Sequence, residues 1–330
     1  MKLSILDQSP IASNQTARDA LNESVKLAQA GEQFGYTRYW IAEHHDLSGL
    51  ACSAPEVMLG YIGAQTKNIR IGSGAVLLPH YKPYKVAELF NMLATLFPNR
   101  IDIGLGRAPG GSAEATNALS DNFLQKVYQF PKLVEELLHF FNNDFPKEHD
   151  FSRITASPFP ETTPVPWILG TSKKSAILAA NHGLPYAFGQ FMSEDDGVAI
   201  IETYLDHFKE TKWNQKPQTL LTVTVVCAET TEKAEEIALS HLIWALQKEK
   251  REGLFVPSIE EAKHYELDEK ENEKLIQMKQ QMIIGNPQEV KHALTKLQAT
   301  YHVDEIMIVT ITHSPKDRIQ SYKLIADVLL

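Results

Sequence analysis

Short apolar runs alternate with amphipathic, helix-like segments from one end of the sequence to the other, and this alternation constrains the fold most strongly. Eight of the runs have the composition of β-strands, at residues 2–8, 39–42, 69–74, 101–105, 167–170, 184–188, 220–227 and 305–309. Helical sequence follows each of them, and strict alternation of this kind indicates a parallel sheet. Eight repeats fit a closed (β/α)8 barrel, the TIM barrel, better than an open sheet.

Local signals mark where several helices begin and end. Thr16 followed by Asp19 predicts a capped helix start, and Gly35 predicts the end of that helix. The motif Asn286-Pro287-Gln288-Glu289 combines an N-cap residue, a proline in the first turn and an acidic residue beside it. Residues 122–141 predict one long helix.

Two segments interrupt the alternation. Residues 142–166 are rich in proline, aspartate and aromatic residues, which predicts a long loop before strand five. Residues 247–282 are crowded with charge and follow strand seven; charge runs are usually solvated helix faces, but a long insertion can also be a mobile lid over the barrel mouth. We expect one barrel domain over residues 1–330, longer than the ~250 residues typical of this fold because of these insertions.

Composition argues against several classes of partner. The formal charge is −9, and no Lys/Arg-rich stripe with interleaved aromatics is present, so nucleic-acid and anionic-membrane binding are not expected. Cys52 and Cys227 are too few for a disulfide framework. The N-terminal residues do not have a signal peptide's composition, and no apolar run reaches the ~18 residues of a membrane span. These features predict a soluble, cytoplasmic protein.

Unusual residues follow four successive strands. In a barrel of this kind the chemistry lies at the C-terminal ends of the strands. The segments found there are Glu43-His44-His45-Asp46 after strand two, Gly74-Ala75 after strand three, Gly104-Leu105-Gly106-Arg107 after strand four, and Gly170-Thr171-Ser172 with Ser175 after strand five. Because the strand ends meet at one rim, we expect these side chains to share one site.

The two histidines allow two interpretations. They could be loop residues paired with Glu43 or Asp46, or they could bind a metal ion. Neighbouring residues of an extended segment point to opposite sides, so His44 and His45 are not expected to bind the same ion. We therefore predict no metal site.

The segments after strands four and five also allow two interpretations. Arg107 could be a salt-bridged surface residue, or it could donate to a phosphate where nearby glycines let the backbone approach a ligand. Thr171, Ser172 and Ser175 could simply cap a helix, yet the start of a helix is also a natural phosphate site. A phosphorylated cofactor held between strands four and five would account for both segments.

Taken in order along the chain, these motifs resemble the bacterial-luciferase-like, flavin-dependent monooxygenases. The resemblance rests on Glu43-His44-His45, Gly74-Ala75, residues 99–107, Thr171-Ser172, residues 179–185 and Gly285-Asn286-Pro287, and it covers nearly the whole chain. It implies a (β/α)8 barrel that uses O2 and reduced FMN, the latter supplied by a separate flavin reductase. The implied reaction oxidises a small organic substrate, such as an aldehyde, a ketone or a sulfur compound, through a flavin hydroperoxide.

The resemblance also implies roles for individual residues. His44 would be the catalytic histidine beside the flavin ring, and Gly74-Ala75 would form a non-prolyl cis peptide against that ring. The other implied cofactor-binding residues are Glu43, Arg107, Thr171, Ser172, Ser175 and Tyr128. Tyr128 stands where luciferase has a second phosphate-binding arginine, which leaves the phosphate affinity and the choice of flavin open.

Alternatives remain at this point. The same barrel also serves deazaflavin (F420)-dependent oxidoreductases, which transfer a hydride without oxygen, and a flavin-binding protein without turnover would keep the same motifs. A metal-dependent barrel hydrolase is disfavoured because no His-x-His pair ends strand one. Relatives of luciferase pair through helices near the second and third strands, which implies a homodimer.

Overall fold

The structure, a computed structural model, describes residues 1–250 and 253–330. Within these residues nine parallel strands form one sheet. They are β1 (Lys2–Asp7), β2 (Arg38–Ile41), β3 (Arg70–Leu77), β4 (Ile101–Gly106), β5 (Val165–Gly170), β6 (Tyr186–Gly189), β7 (Thr219–Cys227), β8 (Ile283–Gly285) and β9 (Glu305–Val309). Strands β1 to β7 pair in order, and β9 pairs with both β7 and β1, which closes the circle. The predicted (β/α)8 barrel is confirmed, with β8 as an extra short strand on β7.

Helices surround the barrel. They are α1 (Ala17–Phe34), α2 (Pro55–Gln65), α3 (Pro83–Leu96), α4 (Ala113–Leu119), α5 (Phe123–Tyr128), α6 (Phe130–Asn142), α7 (Lys173–Asn181), α8 (Gly197–His207), α9 (Thr231–Lys250), α10 (Ile259–Lys263), α11 (Glu269–Gln280), α12 (Pro287–Tyr301) and α13 (Pro315–Leu329). The predicted caps are confirmed: Thr16 and Asp19 form a capping box, Gly35 ends α1 with φ of 86°, and Asn286 caps α12. No helix within the described residues is long and apolar enough to cross a membrane.

The prediction of one helix over residues 122–141 is wrong. The structure has two helices there, α5 and α6, which meet at Gln129. Pro131 lies in the first turn of α6, where its missing N–H is tolerated, but it could not continue a helix from α5 because it cannot donate to the preceding turn.

The two insertions differ in character. Residues 143–164 contain no helix or strand, which confirms the predicted loop before β5. The second insertion was predicted to start at residue 247, but α9 runs from Thr231 to Lys250, and α10 and α11 follow it. Many charged side chains of residues 266–274 face solvent, as expected of a solvated helix face. Two residues of the predicted charge run, Arg251 and Glu252, lie outside the described residues.

Buried charges fill the N-terminal end of the barrel. Arg38, at the start of β2, donates to Asp102 Oδ2 at 2.7 Å and to Glu305 Oε1 at 2.8 Å. The Nε1 of Trp40 donates to the same Asp102 oxygen at 3.1 Å. The two carboxylates raise the pKa of Arg38 although burial opposes it. Arg70 Nε also donates to Asp102, at 3.0 Å, so two guanidinium groups balance two carboxylates. This network fills the N-terminal end of the barrel and leaves the opposite rim for chemistry.

Candidate functional site

His44 lies just beyond the end of β2, at the C-terminal rim. Its backbone N–H donates to the carbonyl of Cys52 at 3.0 Å, which fixes the loop that carries it. Its Nδ1 is buried and has no hydrogen-bond partner among the described residues. Burial lowers the pKa of His44 to about 4, and the positive charge of Lys248 adds to this effect. At neutral pH the imidazole is therefore uncharged and keeps one nitrogen available.

Glu43, next to His44, accepts hydrogen bonds from three other residues at the rim. Its Oε1 accepts from His45 Nε2 at 2.7 Å and from the hydroxyl of Tyr81 at 2.6 Å. Its Oε2 accepts from the backbone N–H of Leu77 at 3.0 Å, which ties β2 to the end of β3. Of the two interpretations of the histidines, pairing with Glu43 thus holds for His45 and not for His44. A direct cofactor contact for Glu43 stays a prediction, since both carboxylate oxygens already have partners in the protein.

The loops after β2 and β4 lie directly against each other. The N–H of His45 donates to the carbonyl of Gly110 at 2.8 Å, and His45 also bridges to Gly111. A Cβ atom on Gly111 would lie far inside van der Waals distance of the His45 carbonyl oxygen, and Gly110 has φ of 72°. These two glycines therefore allow a close approach to His45 rather than to a ligand. Asp46 strengthens the contact by accepting from the hydroxyl of Ser112 at 2.5 Å.

Gly74 and Ala75 lie within β3, and the peptide bond between them is cis, as the sequence resemblance implies. A Cβ atom on Gly74 would lie 2.6 Å from the side chain of Leu6 and 3.2 Å from that of Trp40. The segment therefore borders the apolar layer inside the barrel, at the same rim as His44. The register between β3 and β4 shifts between Ser73 and Val76.

The hydroxyl groups after β5 are arranged as a helix cap. The Ser172 side chain accepts from the backbone of Ser175, and Ser175 Oγ donates to the Ser172 carbonyl at 2.7 Å. Ser175 Oγ is also 3.0 Å from the hydroxyl of Tyr186. Thr171 precedes the cap and is half-buried. Capping is confirmed for Ser172 and Ser175, and the same helix start remains able to bind an anion because the first N–H groups and the helix dipole point outward.

Arg107 belongs to the same part of the rim. It follows β4, which pairs with β5 in the sheet. Burial raises the pKa of Tyr186 to about 12, and the positive charge of Arg107 acts in the opposite direction. Arg107 itself is exposed and forms no ion pair with another described residue. Tyr128, in contrast, ends α5 with 88% of its surface exposed and makes little packing contact.

The barrel mouth is covered by residues that the sequence reasoning missed. Trp244 on α9 is 2% exposed and packs on the inner barrel layer with Trp40, Trp167 and Met307. Its ring lies so close to the loop after His44 that a Cβ atom on Gly49 would be 2.9 Å from it. The available signal was the spacing of His241, Trp244 and Lys248, which places them on one helix face.

Val256, in the second insertion, also packs over the barrel mouth. Val256 is fully buried in the same cluster as Trp244, and it pairs with the loop after β1 through Ala12. Its N–H donates to the carbonyl of Ile11 at 2.8 Å, and its carbonyl accepts from Ser13 at 2.9 Å. The chain after α9 therefore crosses the rim and helps to exclude water from it.

These features fit a cofactor with an apolar planar part and an anionic end. His44, with its buried, unpartnered Nδ1, and Gly74, which borders the apolar layer, lie at the same rim, and this combination suits a flavin ring. Arg107 and the start of α7 suit a phosphate. Within the described residues no group of His, Cys, Asp and Glu side chains is arranged to hold a metal ion. Fold and site together define a barrel enzyme whose residues fit a flavin cofactor.

The comparison with known protein families agrees with this class of enzyme. The sequence model of the luciferase-like monooxygenases matches residues 1–302, and the chain belongs to this family. The N-acetyl-S-alkylcysteine monooxygenase of Bacillus subtilis (strain 168) is 38% identical over an alignment of 336 residues. The alignment covers all of this chain and 98% of that protein. The crystal structure of apo-MsnO8 superposes with a TM-score of 0.87 at 31% identity, covering 99% of this chain and 97% of the other.

More distant structures share the fold alone. The oxygenating constituent of 3,6-diketocamphane monooxygenase from Pseudomonas putida, in complex with FMN, has a TM-score of 0.71 at 18% identity and covers all of this chain and 98% of its own. An F420-dependent secondary alcohol dehydrogenase has a TM-score of 0.68 at 12% identity, with all of this chain and 99% of its own covered. The barrel is thus found with FMN and with F420.

Proposed function

We propose that this monooxygenase is the oxygenating component of a two-component system, which takes reduced FMN from a separate flavin reductase and uses O2 to oxidise a small organic substrate. The observation that carries the proposal is the neutral, buried imidazole of His44 with its unpartnered Nδ1 at the barrel rim. Family membership supports the reaction class. Two electrons come from the reduced flavin, one oxygen atom enters the substrate, and the other leaves as water.

Bound FMN would supply the centre that reacts with O2, and the chain would supply its position and a dry environment. Gly74 and Ala75 would lie against the ring. Arg107, Ser172 and Ser175 would hold the phosphate, with a backbone donor at Thr171. Their gathering at the ends of β4 and β5 supports this assignment. Glu43 would act by orienting His45 and the end of β3, and a phosphate contact from Tyr128 would require the exposed side chain to turn toward the site.

His44 would form a hydrogen bond to the cofactor through Nδ1, and its low pKa keeps the imidazole uncharged at neutral pH. Water must be excluded from such a site because it favours the release of hydrogen peroxide over transfer of oxygen to the substrate. Trp244 and Val256, which pack in the inner apolar cluster, would do this. We propose that residues 247–282 act as a lid over the mouth.

A sulfur compound is the substrate class we favour among aldehydes, ketones and sulfur compounds. The support is the N-acetyl-S-alkylcysteine monooxygenase, a relative that matches over its full length and is named for a thioether substrate. Three partly buried apolar residues near the strand ends, Leu47, Leu169 and Phe191, pack against the inner apolar cluster and would suit a small, partly apolar molecule.

A homodimer is also proposed. Large apolar side chains are exposed on the two helices that follow β2 and β3: Val57 and Tyr61 on α2, and Met92 and Leu96 on α3, with 48–69% of their surfaces accessible. Exposed apolar residues grouped on neighbouring helices are typical of an interface. Pairing through this face matches the arrangement implied by the sequence resemblance.

The test is transfer of labelled oxygen. Protein with chemically reduced FMN is mixed with 18O2 and N-acetyl-S-benzylcysteine, an aldehyde or a ketone, and the products are examined by mass spectrometry. We expect one 18O atom in the product of at least one substrate, and none when reduced F420 replaces reduced FMN. Tight FMN binding without any labelled product would instead favour a flavin-binding protein. Oxygen-independent oxidation of an alcohol with F420 would favour a deazaflavin oxidoreductase.

A further inference from the structure

Helix α9 carries three buried polar side-chain atoms that have no hydrogen-bond partner among the described residues. They are Ser240 Oγ, His241 Nδ1 and Trp244 Nε1. Ser240 and Trp244 are four residues apart, so they share a helix face with His241 beside them. A buried polar atom without a partner costs about 1–3 kcal/mol. Three such atoms on one helix indicate a place prepared for a polar ligand.

The same helix face carries a cation. Lys248 lies one turn beyond Trp244, and its Nζ is 4.4 Å from the centre of the Trp244 ring. Burial lowers the pKa of Lys248, and its charge in turn lowers the pKa of both His44 and His241. The Trp244 ring also lies close to Gly49, in the loop that follows His44, so Lys248 lies on the side of α9 that meets this loop.

Lys248 differs from the other lysines of α9. Lys233 pairs with Glu236 at 2.7 Å and Lys250 pairs with Glu271 at 2.5 Å, and both lysines are exposed. In residues 1–250 and 253–330 no carboxylate lies within ion-pair distance of Lys248. Partial burial of an ammonium group is unfavourable unless the charge is paired, so an anionic ligand would stabilise Lys248 in this position.

We propose that Lys248, with Trp244 Nε1 and His241 as neutral donors, binds the carboxylate of a small-molecule substrate and so positions its apolar part beside His44. This inference rests on the proposed function. The apolar part would lie on Leu47, Leu169 and Phe191, which are partly buried and pack against the cluster that contains Trp244.

The anion position at Lys248 is separate from the one assigned to the cofactor. The phosphate residues Arg107 and Ser172 follow β4 and β5. Helix α9 instead packs on the loop after β2, as the closeness of Trp244 to Gly49 shows. Two anion positions at different sectors of one rim suit a phosphorylated cofactor and an acidic substrate bound together.

The experiment compares matched acids and esters. N-acetyl-S-methylcysteine and N-acetyl-S-benzylcysteine, each with its neutral methyl ester, are titrated calorimetrically into protein saturated with oxidised FMN, which does not turn over. We expect each acid to bind at least about 10-fold more tightly than its ester, since a charge-assisted hydrogen bond is lost in the ester. Lys248→Gln should weaken acid binding about 10- to 100-fold and leave ester binding unchanged.

Three further variants separate the roles. Lys248→Arg keeps the charge and should retain most of the acid preference. Trp244→Phe keeps the apolar ring but removes the N–H, and it should weaken acid binding about 5-fold. Lys250→Gln makes the same charge change two residues away on an exposed side and should change neither affinity.

Equal affinity for acid and ester in both pairs, including no measurable binding of either acid, overturns the inference. So does a Lys248→Gln protein that loses FMN affinity while its preference for the acid is intact, because Lys248 would then serve the cofactor. Failure of the proposed function is seen separately, as the absence of 18O in the product of every substrate. Labelled product from neutral substrates alone would leave the function standing and remove only the carboxylate site.

Discussion

His241 should make the protein less stable in mild acid than its surface charges alone would. Burial lowers the pKa of His241 from an ordinary 6.5 to about 4. Between these two values the unfolded chain binds a proton that the folded chain does not, so the free energy of unfolding falls as the pH drops through this window. One group contributes a slope of at most about 1.4 kcal/mol per pH unit, which amounts to about 2 kcal/mol between pH 7 and pH 5.

The assay is urea unfolding followed by circular dichroism at several pH values from 7 to 4.5, for the wild-type protein and His241→Gln. The quantity to compare is the slope of stability against pH, since the substitution also shifts the baseline. We expect the slope of the variant to be smaller by up to about 1.4 kcal/mol per pH unit, which corresponds to one bound proton. His44, which has a similar pKa, contributes to the slope in both proteins. Parallel slopes would refute the conclusion that His241 is buried in its neutral form.

Three other predictions follow from the rim. Gly111→Ala should destabilise the protein by about 1–3 kcal/mol in urea unfolding because the new Cβ meets the His45 carbonyl. The control is Gly60→Ala in helix α2, which should be neutral or stabilising because a Cβ there meets nothing within 4 Å. Similar losses of stability in both variants would contradict this prediction. Arg107→Gln should weaken FMN binding about 10-fold or more in a fluorescence titration and leave riboflavin, which has no phosphate, unaffected; an equal loss for both ligands would place Arg107 elsewhere. Leu96→Glu should halve the mass measured by light scattering; an unchanged dimer mass would exclude this face as the interface.

Sequence patterns were sufficient for the parts of the fold set by local chemistry. The alternation of strands and helices predicted the barrel, and the pairs Thr16–Asp19 and Asn286–Glu289 marked helix starts that the structure confirms. The C-terminal ends of β2, β4 and β5 were located to within one residue, and a parallel barrel brings such ends to one rim. Strand three was predicted to end at residue 74, which is wrong: β3 continues to Leu77, so Gly74 and Ala75 lie within it.

Long-range packing was harder to predict. The sequence could not show that Gly110 and Gly111 lie on the backbone of His45, since the contact joins two loops far apart in the chain. Helix α9 was missed because its charged C-terminal end merges with the charged insertion. The role of Trp244 and Lys248 at the mouth depends on how that helix crosses the barrel, which no local pattern records.

We propose that a neutral His44 directs the consumed O2 into the substrate rather than into hydrogen peroxide. The most direct test is the fraction of consumed O2 that appears in the oxidised substrate rather than as hydrogen peroxide, with reduced FMN and N-acetyl-S-benzylcysteine or another substrate that takes up 18O. We predict that wild-type protein and His292→Ala, which removes an exposed histidine on α12, give the same high yield. His44→Ala should bind FMN but release mainly peroxide, with the product yield at least about 10-fold lower. An unchanged product yield in His44→Ala would contradict the account.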